Sequence, residues 1–545
     1  MDRTNTPELN DSAQKPQYLD QGWTDKVRED YYNTSQGSKL VPYQWFVNLE
    51  QSGSDKPFNS KDYLGDKFGS LYDKNELPIG FVKAKDNPAP LPPEQQKNLD
   101  NTRVARLTDV SKTYPTGEWL GLTCASCHTG ELQYKGQSKR IDGGPAMADF
   151  IGFARGLRDA FKDTLNDEQK FNRFANKVLD QPNNEQVAEL HKAVEKYSQA
   201  LSGWVDRADN ATPYGFGRLD AFNILVNEIV GTALDHPENY RKADAPVSYP
   251  PLWQTPNMDW VQWNGSAVEP LSRNTGEVLG VFGELDLKEG SSTFGHSSAQ
   301  IRDLHALEEY LKELQPPKWP AEFGELDPDK VKRGKEVYDS ENCASCHDAG
   351  KYTNKNGREL IKTTLVPLDV IKTDPTMATD FATRTANPGP FKPYFGGKDQ
   401  VPLPAMIGPA VKTVIKEGFA REKIPPSEVP AYTDHREERQ RTLQELKGYK
   451  APQLQGVWAT APYLHNGSVP TLDDLFKPSS QRPSNFMVGS REFDPDKVGF
   501  ETEKGKSNFD TTLKGNSNLG HEGPGFGTEL NKDDREALIA YLKSL

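Results

Sequence analysis

Two segments of the chain share one pattern of apolar and polar positions. Residues 303–314 and 534–545 both begin with Asp and carry Ala-Leu, Tyr-Leu-Lys and a final Leu at the same offsets. The apolar residues recur every three or four positions, which predicts an amphipathic helix packed on a core in each segment. A similar pattern predicts a helix over residues 327–338.

The same spacing predicts further helices over residues 146–165, 167–179, 184–204 and 215–234. The first hundred residues are instead dense in Tyr, Trp, Pro and Gly, and we expect extended chain that wraps over the rest. The proline-rich stretch 315–320 is the best candidate domain boundary. The expected parts are an N-terminal wrapping segment (1–100), a first unit with a helical insertion (101–317) and a second unit (318–545).

The composition favours a loop-rich fold that a large apolar group completes. Only 34% of the 545 residues are hydrophobic, and Gly (44) and Pro (41) are frequent, which favours loops. Aromatic residues nevertheless reach 10%, which is too many for a disordered chain. Such a fold is stable if a bulky cofactor supplies part of the core.

Charge and hydropathy argue against several partners. The longest apolar stretch, residues 219–234, is interrupted by Asp220 and Glu228, so no transmembrane anchoring is predicted. The net charge of −13 argues against nucleic acid and anionic membranes as partners. It suits a small, basic redox protein.

The four cysteines carry the strongest chemical signal. They lie in two identical pentads, Cys-Ala-Ser-Cys-His, at residues 124–128 and 343–347. Two thiols three residues apart reach the two vinyl groups of one porphyrin, and the next His lies under the iron. Disulfides and zinc are the alternatives, but neither requires a His directly after both pairs. We therefore predict two covalently bound haem c groups, held by Cys124, Cys127 and His128 and by Cys343, Cys346 and His347.

The order of pentad, long insertion and closing helix occurs twice, which indicates duplication. We predict a mainly α fold of two tandem cytochrome c-like haem units with long loops and few short strands. Covalent haem attachment occurs outside the cytoplasm, so a periplasmic or secreted bacterial protein is expected. Because Met1 is followed directly by Asp2 and Arg3, we expect a mature form from which the signal peptide is absent.

The second axial ligand of each iron decides function, because an iron with two protein ligands only transfers electrons. Seven histidines lie outside the pentads: His191, His236, His296, His305, His435, His465 and His521. His521 lies in a loop ahead of the last helix and is the predicted ligand of the second iron, with His465 and Met487 as alternatives. His296 lies in a similar loop. If His296 is the second protein ligand of the first iron, the chain is a pure electron carrier.

Residues 249–282 form an aromatic-rich segment that contains Trp253, Trp260 and Trp263. Bulky side chains here could line a dry substrate pocket beside the first haem. They could equally bury the edge of the porphyrin. Both interpretations stay open from the residues alone.

The paired pentads and residues 461–472, Ala-Pro-Tyr-Leu-His-Asn-Gly-Ser-Val-Pro-Thr-Leu, resemble the bacterial di-haem cytochrome c peroxidase superfamily. Residues 482–483, 492–495 and 515–522 resemble its oxygenase branch, which includes latex rubber oxygenases and di-haem fatty-acid dioxygenases. The likeness covers roughly residues 20–545. It implies a catalytic first haem on His128 with an open face and an electron reservoir held by His347 and His521. It also implies a calcium ion, whose ligands the sequence does not identify.

The sequence departs from the peroxidases of that superfamily. Their Trp-Asp-Gly-Arg-Ala segment reads Trp-Asn-Gly-Ser-Ala here, at residues 263–267, and the acid-base Glu corresponds to Glu277 after a shortened stretch. A displaced Glu277 is poorly placed to move a proton, because proton transfer needs hydrogen-bond reach. The resemblance implies an apolar distal pocket in which Trp253, Ala267 and Val268 match family positions.

These expectations favour a haem-dependent dioxygenase that adds dioxygen to a C=C or allylic position of a hydrophobic substrate, an unsaturated fatty acid or polyisoprene. Val268 is smaller than the aromatic residue expected for rubber cleavage, so the sequence does not decide between a fatty acid and polyisoprene as the substrate. The alternatives are a peroxide-reducing peroxidase that uses Glu277 and a small redox protein, and a pure electron carrier.

Val268→Phe is expected to change substrate preference more than haem content, because it enlarges a predicted pocket wall without removing a haem ligand. Product profiles from a panel of unsaturated lipids, compared with the haem c content of the same preparations, measure both. An unchanged product profile would show that Val268 does not line the substrate pocket.

Overall fold

The computed structural model describes residues 15–84, 106–209, 212–354, 356–433 and 441–545. With 43% helix and 14% strand, the fold is mainly α, as predicted. Its α-helices, in chain order, are α1 Asp25–Asn33, α2 Tyr43–Asn48, α3 Phe150–Asn166, α4 Glu168–Val178, α5 Asn184–Ala208, α6 Ala221–Val226, α7 Pro270–Gly280, α8 Ile301–Glu313, α9 Pro328–Ser340, α10 Ala344–His347, α11 Leu368–Ile371, α12 Thr376–Thr383, α13 Leu403–Arg421, α14 Val429–Tyr432, α15 Leu472–Leu475 and α16 Lys532–Ser544.

The strands are short and pair in small sheets of two or three. They are β1 Gln17–Tyr18, β2 Val41–Pro42, β3 Phe81–Ala84, β4 Trp119–Leu122, β5 Thr129–Tyr134, β6 Gln137–Asp142, β7 Arg218–Leu219, β8 Val247–Ser248, β9 Lys351–Thr353, β10 Glu359–Ile361, β11 Leu365–Pro367, β12 Thr385–Ala386, β13 Val401–Pro402, β14 Gly448–Lys450, β15 Asn485–Val488, β16 Phe493–Asp494, β17 Gly499–Phe500 and β18 Ser507–Asp510. The two three-stranded sheets have the orders β1-β6-β5 and β2-β4-β3.

The described part of the N-terminal segment differs from the expected extended chain. It contains α1 and α2, and its strands pair with β4 and β6 of the first unit. Trp45 of α2 is fully buried, and its ring packs edge-on against Tyr197 of α5 at 5.7 Å. Burial of aromatic area stabilises these short helices, which are too brief to show a helical period in the sequence.

The helices predicted over residues 146–204 are confirmed. Helices α3, α4 and α5 lie within the predicted ranges or close to their ends, and Asp149, Asp167 and Asn183 cap their N-termini through side-chain oxygens. The fourth predicted helix is α6, which continues as a π-helical segment over Asn227–Ala233. Arg384 donates to the side-chain oxygens of Asn223 and Asn227 at 2.8 and 2.7 Å, which ties this segment to the second unit.

The helix predicted over residues 327–338 is confirmed as α9. The two helices predicted from the repeated pattern, over residues 303–314 and 534–545, are confirmed as α8 and α16. Asp327 caps α9 by accepting from Asp329 N. Helices α9 and α16 cross at Gly334, where a Cβ atom would lie 1.9 Å from the carbonyl oxygen of Ala537. Only glycine allows the two backbones to approach so closely.

One hydrophobic core spans the two ranges expected as separate units. It contains Trp253 and Leu307 from residues 101–317 together with Trp458 and Leu538 from residues 318–545. The proline-rich boundary joins this core, because Trp458 Nε1 donates to the carbonyl of Pro317 at 3.0 Å. Within the described residues, no helix combines the length and apolar character needed to cross a bilayer.

Gly334→Ala is expected to destabilise the protein by about 1–3 kcal/mol, because overpacking forces two helices apart. The control is Gly203→Ala in α5, where the new Cβ would meet the flexible end of Arg207 at 3.3 Å. Helix propensity predicts a gain of up to about 1 kcal/mol at such a position. Chemical unfolding of both variants measures the difference, and equal midpoints would contradict the close crossing.

Candidate functional site

Each pentad folds into a single helical turn that presents its thiols and its imidazole together. Residues Cys124–Ser126 form a 3-10 turn, and His128 N donates to the carbonyl of Cys124 at 2.9 Å. In the second pentad, His347 N donates to the carbonyl of Cys343 at 3.0 Å. No disulfide joins any two of the four cysteines, so the disulfide alternative is not realised.

A proline carbonyl orients each pentad histidine. Nδ1 of His128 lies 2.8 Å from the carbonyl oxygen of Pro250, and Nδ1 of His347 lies 2.8 Å from that of Pro452. A carbonyl only accepts, so Nδ1 carries the proton and Nε2 keeps its lone pair for a metal. Burial lowers the pKa of His128 to about 4 and also lowers the pKa of His347, so both rings are neutral, as metal ligation requires.

The structure brings His521 opposite His347. The two ring centres are 6.3 Å apart, with an interplanar angle of 56°. Metal–imidazole bonds of about 2.0 Å on each side, with the ring radii, place two ring centres roughly 6 Å apart. Nδ1 of His521 is buried without a hydrogen-bond partner among the described residues, and burial together with the charge of His347 lowers the pKa of His521 to about 3. These residues fit a haem iron with two axial imidazoles.

Close backbone packing holds the loop that carries His521. His521 N donates to the carbonyl of Ile371 at 2.9 Å. A Cβ atom on Gly520 would lie 2.3 Å from the nitrogen of Thr373, so only glycine fits before the histidine. Phe526 packs edge-on against the His521 ring at 5.0 Å.

The two rival ligands have other contacts. His465 stacks on the ring of Tyr449 at 3.8 Å, and Met487 belongs to β15, where it pairs with Asn508 of β18. His296 pairs with Glu417 of α13 at 3.6 Å. His191 packs against Phe171, and His305 packs against Tyr432. His435 lies outside the described residues.

The neighbours of the first pentad are polar on one side. Gln262 donates through Nε2 to Glu277 at 2.7 Å, and Arg273 lies 3.7 Å from the same carboxylate. Burial and the charge of Glu277 raise the pKa of Cys124 to about 12, while Arg273 opposes them. Glu277 therefore lies within electrostatic reach of Cys124, which the sequence comparison with peroxidases did not indicate.

Glu277 is partly exposed, with about 40% of its side-chain surface accessible. Its surroundings nevertheless raise its pKa through burial. The group is suited to hold or release a proton.

The other three residues predicted for the pocket lie along the boundary with the second unit. Trp253 donates through Nε1 to the carbonyl of Gln455 at 2.9 Å. Ala267 packs on a small cluster of Met258, Val261 and Ile361. Val268 directly follows it. Their place in a distal pocket stays a prediction.

Two matching turns were missed by the sequence analysis. Residues 260–267 and 462–469 both carry an Asn-Gly-Ser sequence, both have a left-handed residue before it (Gln262, φ 69°; Leu464, φ 63°), and both are closed by an antiparallel bridge. We call them the Asn-Gly turns. The repeated Asn-Gly-Ser was the signal that could have revealed them.

The Asn-Gly turns connect the two units reciprocally. Ser248 N donates to the carbonyl of His465 at 2.8 Å, and Lys450 N donates to the carbonyl of Trp263 at 2.7 Å. Each donor lies two residues before the proline that orients a pentad histidine. The strands that position the two imidazoles are therefore bonded to each other's turns.

Known proteins resemble the chain in two ways. A family model described as RoxA-like, cytochrome c-like matches residues 448–487, which include Pro452 and the second Asn-Gly turn. The uncharacterized protein y4iJ of Sinorhizobium fredii is 35% identical over 579 residues, covering 97% of this chain and 93% of the relative. The chain belongs to the y4iJ family.

A second protein of Sinorhizobium fredii, the uncharacterized y4iM, is 40% identical over 93 residues, which is 15% of this chain and 21% of the relative. The RoxA-like segment supports a RoxA-like di-haem cytochrome family. This family implies that the chain binds haem c covalently and that it is an oxidoreductase. Among the described residues, no group of three or more His, Cys, Asp or Glu side chains forms a further metal site, so the calcium expectation stays untested.

His521→Ala is expected to convert the RoxA-like second site from a six-coordinate to a five-coordinate iron, because it removes one of two facing imidazoles. Optical and electron paramagnetic resonance spectra of the ferric protein report that change. His465→Ala is the matched control and should keep the six-coordinate signature. The reverse result would make His465 the ligand.

Proposed function

We propose that the protein is a di-haem oxygenase that adds dioxygen to a C=C or allylic position of a hydrophobic substrate. One observation carries the proposal, which is the asymmetry between two otherwise matched histidines. His128 and His347 have the same bond to a proline carbonyl, but only His347 faces another imidazole at ligand spacing within the described residues. Under this proposal the first site reacts and the second stores electrons.

The neighbours of His128 support an accessible first site. His128 is only partly buried, its ring lies 6.2 Å from the ring of Tyr249, and the carboxylate of Glu277 interacts electrostatically with Cys124. When bound, haem supplies the redox-active iron at which dioxygen or peroxide is reduced. The fixed tautomer of His128 makes Nε2 the ligand atom and keeps its direction constant.

Aromatic and aliphatic side chains around the first site support a hydrophobic substrate. Trp253 and Leu271 belong to the same hydrophobic core as Ala125 of the first pentad. Such walls exclude water and align an apolar chain, which raises the rate by positioning. The resemblance to rubber oxygenases and fatty-acid dioxygenases supports the same substrate class, and an extracytoplasmic location, in the periplasm or outside the cell, belongs to the proposal.

Reduction of hydrogen peroxide is a second candidate, which Glu277 favours. Its carboxylate accepts from Gln262 at 2.7 Å and has a raised pKa, so it can act as a proton donor near neutral pH more readily than an exposed Glu. The hydrogen bond from Gln262 fixes one carboxylate oxygen. A peroxidase needs such a group to protonate a leaving oxygen.

Glu277→Gln distinguishes the two candidates. In a peroxidase it removes the acid-base group and should lower turnover roughly 100- to 10,000-fold. In an oxygenase Glu277 has no acid-base role, and oxygen uptake with oleate should fall by less than about tenfold, since no acid-base step is removed. The measurements are oxygen uptake against oleate and polyisoprene, and peroxide consumption with a reduced small cytochrome.

The matched control is Glu289→Gln, an exposed residue of the same unit, which should change neither rate. Peroxide turnover by the wild type without oxygen uptake on any unsaturated lipid would overturn the oxygenase proposal. Loss of all activity in His128→Ala would be expected under both candidates.

A further inference from the structure

Arg482 is a buried arginine that holds the loop of residues 515–522, which we call the His521 loop. Only 5% of its surface is exposed. Its Nη1 donates to the carbonyls of Asn518 and Gly520 at 2.6 and 2.8 Å. Its Nη2 donates to the carbonyl of His521 at 3.2 Å. The guanidinium therefore bonds to the backbone of the predicted iron ligand itself and to two of the three residues before it.

The other donors of Arg482 reach the end of a short helix. Nη2 donates to the carbonyl of Leu475, the last residue of α15, and Nε donates to the carbonyl of Lys477, both at 3.1 Å. An arginine has five N–H donors, and here its nitrogens make five bonds to carbonyl oxygens. The side chain thus joins the His521 loop to the segment after α15 with its full hydrogen-bonding capacity.

The charge of Arg482 is compensated by carbonyls rather than by a carboxylate. Among the residues that the structure describes, Glu522 and Asp474 act on the guanidinium electrostatically without bonding to it. Oε1 of Glu522 accepts from Ser479 N at 3.1 Å, and Oδ1 of Asp474 pairs with Lys477 at 2.8 Å. Burying a guanidinium in this way is costly. A neutral side chain would avoid that cost but could not donate to five carbonyls.

The backbone of His521 needs such restraints because it is strained. Its φ angle is 49°, in the left-handed region that residues with a side chain rarely adopt. Residues in such conformations persist only where their surroundings fix them. Here one bond lies on each side of the Cα atom. The nitrogen of His521 donates to the carbonyl of Ile371 at 2.9 Å, and its carbonyl accepts from Arg482.

The loop that carries His296 lacks this arrangement. Arg421 of α13 donates to two carbonyls that follow His296 in the chain. The carbonyl of His296 itself accepts from Asp286 N at 3.0 Å. Arg421 is also paired with Glu417 at 2.7 Å. A guanidinium that bonds the carbonyl of the histidine, without a carboxylate partner, therefore distinguishes the loop of the second site.

We propose that Arg482 is the positioning residue that keeps His521 bound to the second haem iron. Its bonds fix the backbone on which the imidazole stands opposite His347, so the imidazole cannot leave unless the loop is distorted. The second iron then stays six-coordinate and closed to external ligands. This role concerns ligation by His521 alone and does not depend on the oxygenase activity proposed for the first site.

The test measures cyanide binding to the ferric holoprotein without substrate, by optical and electron paramagnetic resonance spectra, with the cyanide bound per chain counted. Arg482→Met removes all five donors and keeps an unbranched, flexible side chain. The cyanide concentration is one that leaves the second haem of the wild type unchanged. The variant is expected to bind one more cyanide per chain. Its affinity at the second haem should rise at least about tenfold, because even one bond to a charged donor is worth that factor.

Two further variants separate geometry from charge and from general stability. Arg482→Lys keeps the charge but has three donors and no planar fork, so its cyanide affinity should lie between those of the wild type and Arg482→Met. Arg384→Met is the matched control. Arg384 is 7% exposed and donates to the side chains of Asn223 and Asn227, not to the His521 loop. Its loss should leave cyanide binding unchanged even if the unfolding midpoint falls.

Counting by difference separates this proposal from the state of the first site. If the first iron is open, the wild type binds one cyanide and Arg482→Met binds two. If the first iron is closed, so that the proposed function fails, the numbers are zero and one. In both cases the additional cyanide belongs to the second haem.

Three results would overturn the proposal. The first is an Arg482→Met holoprotein that unfolds more easily but keeps the wild-type spectra and cyanide count, because only a structural role would then remain. If Arg482→Met yields no holoprotein, Arg482→Lys decides, and wild-type cyanide binding in that variant contradicts the proposal. The third is loss of haem in both variants while Arg384→Met is recovered intact, which would assign Arg482 to folding.

Discussion

The hydrogen bond between each pentad imidazole and a proline carbonyl is the interaction on which the rest of the site depends. It fixes the proton on Nδ1 of His128 and of His347 and leaves Nε2 as the ligand atom. The two prolines lie on segments whose upstream residues, Ser248 and Lys450, bond to the opposite Asn-Gly turn. A shift of β8 or β14 would therefore disturb both imidazoles. Each strand leads to the proline that orients its own histidine, and each strand also holds the Asn-Gly turn of the other half of the chain.

This shared scaffold carries two unlike sites. At the second site, a glycine-dependent loop brings His521 opposite His347. At the first, Cys124 contacts the side-chain oxygen of Gln36 at 3.3 Å, and Glu277 and Arg273 act on it electrostatically. The difference arises outside the common frame, in loops and helices that the two units do not share. Under the proposed function, one frame thus supports both an electron store and a reactive centre.

The sequence predicted the helices whose apolar residues recur with a helical period and the residues expected to attach a cofactor covalently. Helices α8, α9 and α16 were found because their apolar residues repeat, and the spacing within the pentads identifies the cysteines and histidines that are expected to hold haem. Helix α2 was missed because six residues are too few to show a period, and burial of Trp45 decides its structure.

The most direct test of the account is the electron paramagnetic resonance spectrum of the ferric holoprotein without substrate, with the spins of each signal counted. The account predicts one low-spin haem with two imidazole ligands and one haem with a high-spin or exchangeable-ligand signature, in equal amounts. Two low-spin haems that both carry two protein ligands would contradict it.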